Sequence, residues 1–222
     1  HLRAIDGINP MDRGFQEARE AGVTAVAVSP GSANPIGGQI ALIKTAGRRV
    51  DDMVVKAPLA IKFALGENPK SVYHDKDEAP VTRMATAALI REQLYKAKEY
   101  FARKARAEDD PDQDDPDYDI KLEALLPLLW GKAEAHFHAH RADDIFTALR
   151  IAKEFGLRAV IIHGTEAHLV ADLLAEEQVP VVSGPFMTDR SKPELRHLTD
   201  ESPALLCRAG IPTAITVDHP EI

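Results

Sequence analysis

Histidines supply the first candidate for chemistry in this chain, because five of the nine lie within residues 132–168. His136, His138 and His140 alternate along one short run, so in a strand all three side chains would point to the same side. His163 ends an apolar run and precedes Gly164, as a polar residue does where a buried parallel strand opens into a loop. The stretch therefore predicts a strand, a helix and a second strand, with histidine at the carboxyl end of both strands.

Polar residues end two later apolar runs in the same way, at Ser183 and Asp218. Together, His138, His163 and Asp218 form a set of imidazole and carboxylate ligands that zinc, iron and manganese share. Each residue taken singly has a structural explanation, such as a hydrogen-bonded histidine or an aspartate that caps a turn. Their equivalent positions at three strand ends favour a metal site.

The elements that must position these residues follow a regular order after residue 132. We predict strands at 133–138, 158–163, 179–183 and 212–218, and helices at 144–155, 166–177 and 202–209. A helix at 10–20 and strands at 23–28, 40–44, 53–56 and 59–65 are predicted upstream. Strands that alternate with helices are typical of parallel βα units. Since no dinucleotide fingerprint is present, the predicted fold is α/β, a (β/α)₈ TIM barrel incomplete at both ends.

Residues 1–222 are predicted to form one domain, with an inserted helix and acidic loop at about 80–130. Apolar residues at helical spacing predict an amphipathic helix over 83–107. The acidic run 108–119 contains two prolines and has nothing to bury, so we predict an exposed loop. A short apolar helix is predicted over 120–129.

Two upstream features are weaker candidates. The loop 29–38 contains three glycines and two prolines, but it lacks both the Walker spacing and the dinucleotide fingerprint, so turn chemistry is favoured over a phosphate site. Lys62 alternates with Ile61 and Phe63 and is predicted on the opposite face of its strand. A lysine ligand is one interpretation, and a solvated or ion-paired lysine is the favoured one.

Composition limits the partners that the chain can have. The formal charge of −8 with scattered basic residues argues against nucleic acid. No apolar run approaches the roughly 20 residues needed to cross a bilayer, so no membrane partner is expected. The single Cys207 fits a reducing compartment and predicts a cytoplasmic protein. A small-molecule substrate is the expected partner.

Several segments carry a resemblance to a known family. They are HAHRADDI (138–145), VIIHGT (160–165), Gly184-Pro185, AITVD (214–218), GVTAVAV (22–28), NPIGGQ (34–39) and KFALGENPK (62–70). Together they resemble the metal-dependent amidohydrolase superfamily, nearest its imidazolonepropionase-related branch. The resemblance covers nearly the whole chain and is specific for the superfamily rather than for a substrate.

The resemblance implies roles for individual residues. His138, His163 and Asp218 correspond to metal ligands, and Asp218 and His163 to catalytic residues. The implied cofactor is a divalent metal ion, zinc in the first place, with iron or manganese as alternatives. The metal would activate a water, and Asp218 would move the proton to the leaving nitrogen, so that an amide or cyclic amide C–N bond is hydrolysed.

Four residues correspond more weakly to the substrate side of the family's site. They are His140, Arg141, Asn34 and Gln39. The family's first-strand His-x-His pair has no counterpart before residue 74, and His136-Phe-His138 has the spacing but would leave the earlier strands unexplained. We therefore expect a fragment that lacks this pair and the family's C-terminal segment.

Three alternatives remain open at this point. The fragment is catalytically silent, or it belongs to a deaminase or peptidase-type member of the same superfamily, or it is a metal-free α/β domain that binds a sugar or nucleotide through residues 31–38. A homo-oligomer would cover the open edges of an incomplete barrel.

Overall fold

The computed structural model describes residues 1–110, 112–188 and 190–219. These residues form one seven-stranded sheet in which the strands lie in chain order. The strands are β1 (Ala25–Val28), β2 (Ile36–Lys44), β3 (Val54–Ala64), β4 (Glu134–Ala139), β5 (Ala159–His163), β6 (Val181–Ser183) and β7 (Thr213–Ile215). The first three strands pair antiparallel, whereas β3 to β7 pair parallel. The sheet is curled into a half-barrel.

Nine α-helices connect or flank the strands in the described part of the chain. They are α1 (Arg13–Glu20), α2 (Val50–Met53), α3 (Glu67–His74), α4 (Arg83–Asp109), α5 (Ile120–Glu123), α6 (Leu126–Leu129), α7 (Ala142–Phe155), α8 (Ala171–Glu177) and α9 (Ser202–Arg208). Short 3₁₀ helices lie at Ala4–Asp6, Ala167–Val170 and Pro193–Leu195. No helix of the described residues is long and apolar enough to span a membrane.

Alternating side chains of the parallel strands form the main core on the helix side of the sheet. Phe63 and Phe137 are fully buried there and stack with ring centroids 4.8 Å apart. Ile90 of α4 and Ile145 of α7 belong to the same cluster. Each such side chain contributes roughly 1.5–3 kcal/mol by leaving water. Because the apolar residues occupy the helix side, the intervening residues of β3 and β4 face the inner side of the half-barrel.

The prediction of parallel βα units is confirmed from β4 onwards, and the long helix predicted at 83–107 is confirmed as α4. Thr82 caps this helix, since its hydroxyl accepts a hydrogen bond from Ala85 N at 3.1 Å. The described residues form an open sheet with β1 and β7 at its edges. A complete (β/α)₈ barrel therefore stays a prediction.

Some predicted element boundaries are wrong. The strands predicted at 53–56 and 59–65 form the single strand β3, because Pro58 does not interrupt the extended backbone. The segment after Gly66, for which the sequence predicts no helix, is helix α3, in which Pro69 occupies the first turn and needs no intrahelical donor.

Two predicted helices are shorter and more irregular than expected. The segment 120–129 divides into α5 and α6, and 166–177 divides into a 3₁₀ helix and α8. Among the described residues of the acidic run, 110 and 112–118 form no helix or strand, and Asp119 caps α5. Pro111 lies outside the described residues. Helices α4 to α6 thus lie between β3 and β4, where the insertion was predicted.

Candidate metal centre

The end of β4 brings His138 and His140 to the mouth of the half-barrel. Residue pairing places His138 beside Ala64 of β3 and Ile162 of β5, so its ring lies on the inner side, opposite the buried Phe137. Helix α7 begins two residues after His140. The histidine rings therefore lie where β4 ends and the chain turns into that helix.

His163 reaches the same point through an unusual backbone conformation. It ends β5, and simple alternation from Ile161 would direct its side chain to the helix side. Instead, His163 has a φ of 74°, in the left-handed region that non-glycine residues seldom occupy. Its ring lies 4.7 Å from the rings of both His138 and His140, measured between centroids. A strained residue of this kind is typical of a functional site.

The three histidines form a compact, buried cluster, which we call the histidine triad (His138, His140 and His163). The His138 and His140 ring centroids are also 4.7 Å apart. One nitrogen from each ring lies within 4.8 Å of the other two. Three imidazole nitrogens at this separation can surround one metal ion.

Hydrogen bonds fix the orientation of two of the rings. His163 Nδ1 lies 2.7 Å from Gly184 O, and since a carbonyl only accepts, Nδ1 carries the proton and Nε2 keeps its lone pair. His140 Nδ1 lies 2.8 Å from Thr165 Oγ1. Metal-binding histidines usually have such a partner on the other ring nitrogen.

The third ring is held differently. His138 Nε2 lies 3.3 Å from Asn68 Nδ2, and His138 Nδ1 is buried without a hydrogen-bond partner among the described residues. A buried ring nitrogen without a partner is costly. A metal ligated by the triad would give that nitrogen a partner.

Burial keeps the triad neutral. Desolvation lowers the pKa of His138 well below its ordinary value and the pKa of His140 to about 2. Desolvation also lowers the pKa of His163, despite the Gly184 carbonyl and the Asp218 carboxylate, which favour its protonated form. Only neutral imidazole binds a metal, so all three ligands are available at neutral pH.

Lys62 is buried beside the triad and is neither solvated nor ion-paired among the described residues, so the favoured sequence-based interpretation is wrong. Burial lowers the pKa of its ammonium group. In the sheet, Lys62 of β3 pairs with His136 of β4. His136 Nε2 lies 3.1 Å from Glu134 Oε2. His136 thus has a carboxylate partner deeper in the half-barrel, away from the triad.

Asp218 approaches the triad from beyond β7. Its Oδ2 lies 3.8 Å from His163 Nε2, and 55% of its side chain is exposed. Ser183, at the end of β6, is buried, and its Oγ has no hydrogen-bond partner in the described chain. The structure thus brings His138, His163 and Asp218 to the same mouth, and it adds His140 to the histidines there.

Of the four residues predicted on the substrate side, His140 belongs to the triad and the other three are dispersed. Arg141 forms an ion pair with Asp143, with Nη2 2.8 Å from Oδ2. Asn34 Oδ1 accepts a hydrogen bond from Tyr73 Oη at 2.8 Å. Gln39 lines a cavity of about 300 Å³ together with Arg3, and no triad residue lines that cavity.

Sequence reasoning missed two residues that contact the site from other segments. Asn68 lies on α3, and its Oδ1 accepts a hydrogen bond from Lys192 Nζ at 2.5 Å. Both residues line a cavity of about 320 Å³, and Asn68, which lies 3.3 Å from His138, connects this cavity to the triad. Neither residue ends an apolar strand, so the pattern that identified His138 and His163 offered no signal for them.

A divalent metal fits this donor set. Three neutral imidazoles converge, two are oriented through the opposite ring nitrogen, and His138 has a buried nitrogen without a partner. Imidazole suits zinc, iron, copper and nickel, so the donors alone do not distinguish the metal.

Comparison with known proteins gives two relatives, although no family model matches the chain. The sequence is 33% identical over 192 residues to amidohydrolase tasK of Hapsidospora irregularis. The match covers 78% of this chain and 20% of that protein. The crystal structure of an amidohydrolase from Thermotoga maritima MSB8 matches 100% of this chain with a TM-score of 0.97 and 46% identity. The chain spans 58% of that structure. Both of these similar proteins are amidohydrolases.

Proposed function

We propose that this chain forms the metal-binding part of an amidohydrolase, which hydrolyses an amide or cyclic amide C–N bond. The observation that carries the proposal is the histidine triad, whose ring nitrogens converge in a buried position. Amidohydrolase tasK and the Thermotoga maritima protein are both amidohydrolases, and the second has nearly the same fold. Within that family, the segments around His138, His163 and Asp218 favour the imidazolonepropionase-related branch.

The triad would hold the metal, and zinc is the metal we expect. A divalent ion bound there supplies Lewis acidity, which lowers the pKa of a water and polarises the substrate carbonyl. The protein's own contribution is positioning. Gly184 O and Thr165 Oγ1 keep two rings in place, and burial excludes bulk water around His138 and His140.

Asp218 is the proposed proton carrier. Its carboxylate lies beside His163 but is half exposed, so it can contact both the attacking water and the substrate. In the proposed reaction Asp218 accepts a proton from that water and delivers it to the leaving nitrogen, acting first as base and then as acid.

The cavity beside the triad is the proposed position of the substrate. Its polar lining is supplied by Glu67, Asn68, Ser71 and Lys192, and Ala33 and Val72 supply apolar surface. The Lys192 ammonium group can donate hydrogen bonds to substrate oxygens. An amide with a polar substituent is therefore the substrate class that we expect.

The test combines metal analysis with a substrate panel. Purified protein is expected to contain about one zinc, iron or manganese per chain by mass spectrometry. It should hydrolyse members of a panel of N-acyl amino acids, dipeptides and cyclic amides, lose activity in a chelator and recover it with added zinc. His163→Ala should bind no metal, whereas His136→Ala, which changes a histidine outside the triad, should bind it normally.

Two results would contradict the proposal. Protein without stoichiometric metal is one, and hydrolysis that a chelator does not affect is the other. Release of ammonia from an aromatic amine, without amide hydrolysis, would instead identify a deaminase.

A further inference from the structure

Glu194 is a fully buried carboxylate for which the reaction proposed above gives no role. It lies in the 3₁₀ helix Pro193–Leu195, on the connection between β6 and β7, and its side chain is 0% exposed. Its Oε2 accepts a hydrogen bond from Glu67 N at 3.0 Å. Its Oε1 has no hydrogen-bond partner among the described residues. Burial of a carboxylate oxygen without a partner is costly, so the position requires an explanation.

The surrounding backbone makes room for this carboxylate. Gly66 has a φ of 82°, and a Cβ placed there would lie 2.7 Å from Glu194 Oε2. Such a distance is well inside van der Waals contact, so a larger residue than glycine would displace the carboxylate. The chain thus holds Glu194 closely at the point where β3 leads into α3.

Arg83 does not supply the missing hydrogen-bond partner of Glu194 Oε1. The Arg83 guanidinium is committed to another carboxylate, since its Nε donates to Asp144 Oδ2 at 3.0 Å. Its Nη2 lies 4.0 Å from Glu194 Oε2, which is beyond hydrogen-bond distance, and has no hydrogen-bond partner in the described chain. Arg83 is therefore hydrogen-bonded to Asp144 and makes only a longer ion pair with Glu194, which reaches Oε2 and leaves Oε1 without a partner among the described residues.

The free oxygen of Glu194 approaches the histidine triad. Oε1 lies 3.9 Å from His140 Nε2. This distance is too long for a hydrogen bond. Ligand bonds of about 2.1 Å separate two ligands of one tetrahedral zinc by roughly 3.4 Å, so a shift of about half an ångström would let both atoms bind the same ion.

Charge around the triad supports an anionic ligand. Lys62 and Lys192 both lie where their positive charges disfavour protonation of His138 and His140. A divalent cation held by neutral imidazoles would face the same repulsion. Asp218 is half exposed and therefore screened by water, whereas the Glu194 carboxylate is buried and compensates the charge more strongly.

We propose that Glu194 Oε1 is an anionic ligand of the metal, on the His140 side of the histidine triad. This inference rests on the metal site proposed above. It adds the connection between β6 and β7 to the segments that bind the ion, beside the ends of β4 and β5.

The experiment measures metal affinity directly, independently of activity. Apo protein is titrated with zinc against a chromophoric chelator, and with cobalt(II), whose visible spectrum reports the ligands. Glu194→Gln keeps the size of the side chain and removes its charge. Its zinc affinity should fall at least about 10-fold, and its cobalt spectrum should change. Asp144→Asn is the matched control, because it neutralises the neighbouring buried carboxylate and should leave zinc affinity within about twofold of wild type.

Glu194→Asp provides a second variant if Glu194→Gln fails to fold. It keeps the charge and shortens the side chain, so its cobalt spectrum should also differ from that of wild type. Wild-type zinc affinity together with an unchanged cobalt spectrum in a folded Glu194 variant would overturn the inference, while leaving the triad as a metal site. A wild-type protein that binds metal but hydrolyses nothing contradicts the proposed reaction and leaves the ligand test valid.

Discussion

The two halves of the site differ in how firmly the fold holds them. At the ends of β4 and β5, strands of six and five residues carry histidines that are buried and packed against one another. At the end of β7, a strand of three residues leads to Asp218, which is half exposed, and Ile215 within that strand is 69% exposed. The difference suggests that the first region binds the metal and the second carries out proton transfer.

Removal of a triad histidine should have the largest effect, because it tests the binding region directly. His138→Ala is expected to abolish stoichiometric zinc binding at micromolar zinc, and all hydrolysis with it. The matched control is His136→Ala, two residues earlier on the same strand, whose ring lies against Glu134. Mass spectrometry of the purified proteins checks the result. Normal zinc content in His138→Ala would show that the ends of β4 and β5 do not bind the metal as proposed.

Asp218→Asn tests the other region. We expect kcat to fall by about 10²–10⁴, the usual contribution of a general acid–base group. Zinc affinity should change little, because the triad is intact. Steady-state kinetics and a zinc titration on the same preparation separate the two quantities. If zinc affinity falls as far as kcat, Asp218 belongs to the binding region and the division of roles is wrong.

Thr165→Val should have a smaller effect, because Thr165 is not itself a proposed ligand and acts through its hydrogen bond with His140 Nδ1. The substitution keeps the side-chain shape and removes the hydroxyl, so zinc affinity should fall about 10-fold, at the lower end of the range for such partners. Thr147→Val is the control, since that hydroxyl bonds to a backbone carbonyl on α7. Equal affinities in the two variants would show that the orientation of His140 does not depend on Thr165.

The last prediction concerns the pH dependence of stability in the metal-free protein. Burial lowers the pKa of each triad histidine, so below pH 6.5 the unfolded chain binds protons that the folded chain excludes. The free energy of unfolding should therefore fall as the pH falls, by up to about 1.4 kcal/mol per pH unit for each histidine. Above pH 6.5 this contribution is fully present and constant.

Denaturant unfolding between pH 5 and 7.5 measures this slope. Burial raises the pKa of Glu194 and Asp144, which gives a slope of the opposite sign. The comparison should therefore be made between wild type and His140→Asn. In the variant, the free energy of unfolding should change less steeply with pH, because the contribution of one histidine is lost. Equal slopes would mean that His140 is protonated in the folded protein.

The sequence predicts the binding region better than the residues that surround it. His138 and His163 end apolar strands, and that pattern is local, so it can be recognised without knowledge of the fold. Asn68, Lys192 and Glu194 reach the triad from segments far apart in the chain, and only tertiary structure brings them together. Helix α3 was missed because Gly66 and Pro69 are ordinarily turn residues.

His140 shows a further limit of sequence patterns. Strand periodicity correctly placed it on the same side as His138, but it lies beyond the last residue of β4. Its distance from His163 depends on the left-handed conformation of that residue, which no periodicity predicts. The φ angle of His163 thus decides whether two or three histidine rings meet at the site.

That same angle has a consequence for protein design. His163 and Gly164 are consecutive left-handed residues, and a Cβ at Gly164 would lie 2.9 Å from Val181 Cγ1. Grafting only the three histidines onto the ends of regular strands in another scaffold would leave the third ring pointing into the helix layer. A transplanted site would have to include the His-Gly step and a small space beside the next strand, so the main chain belongs to the minimal unit that can be transferred.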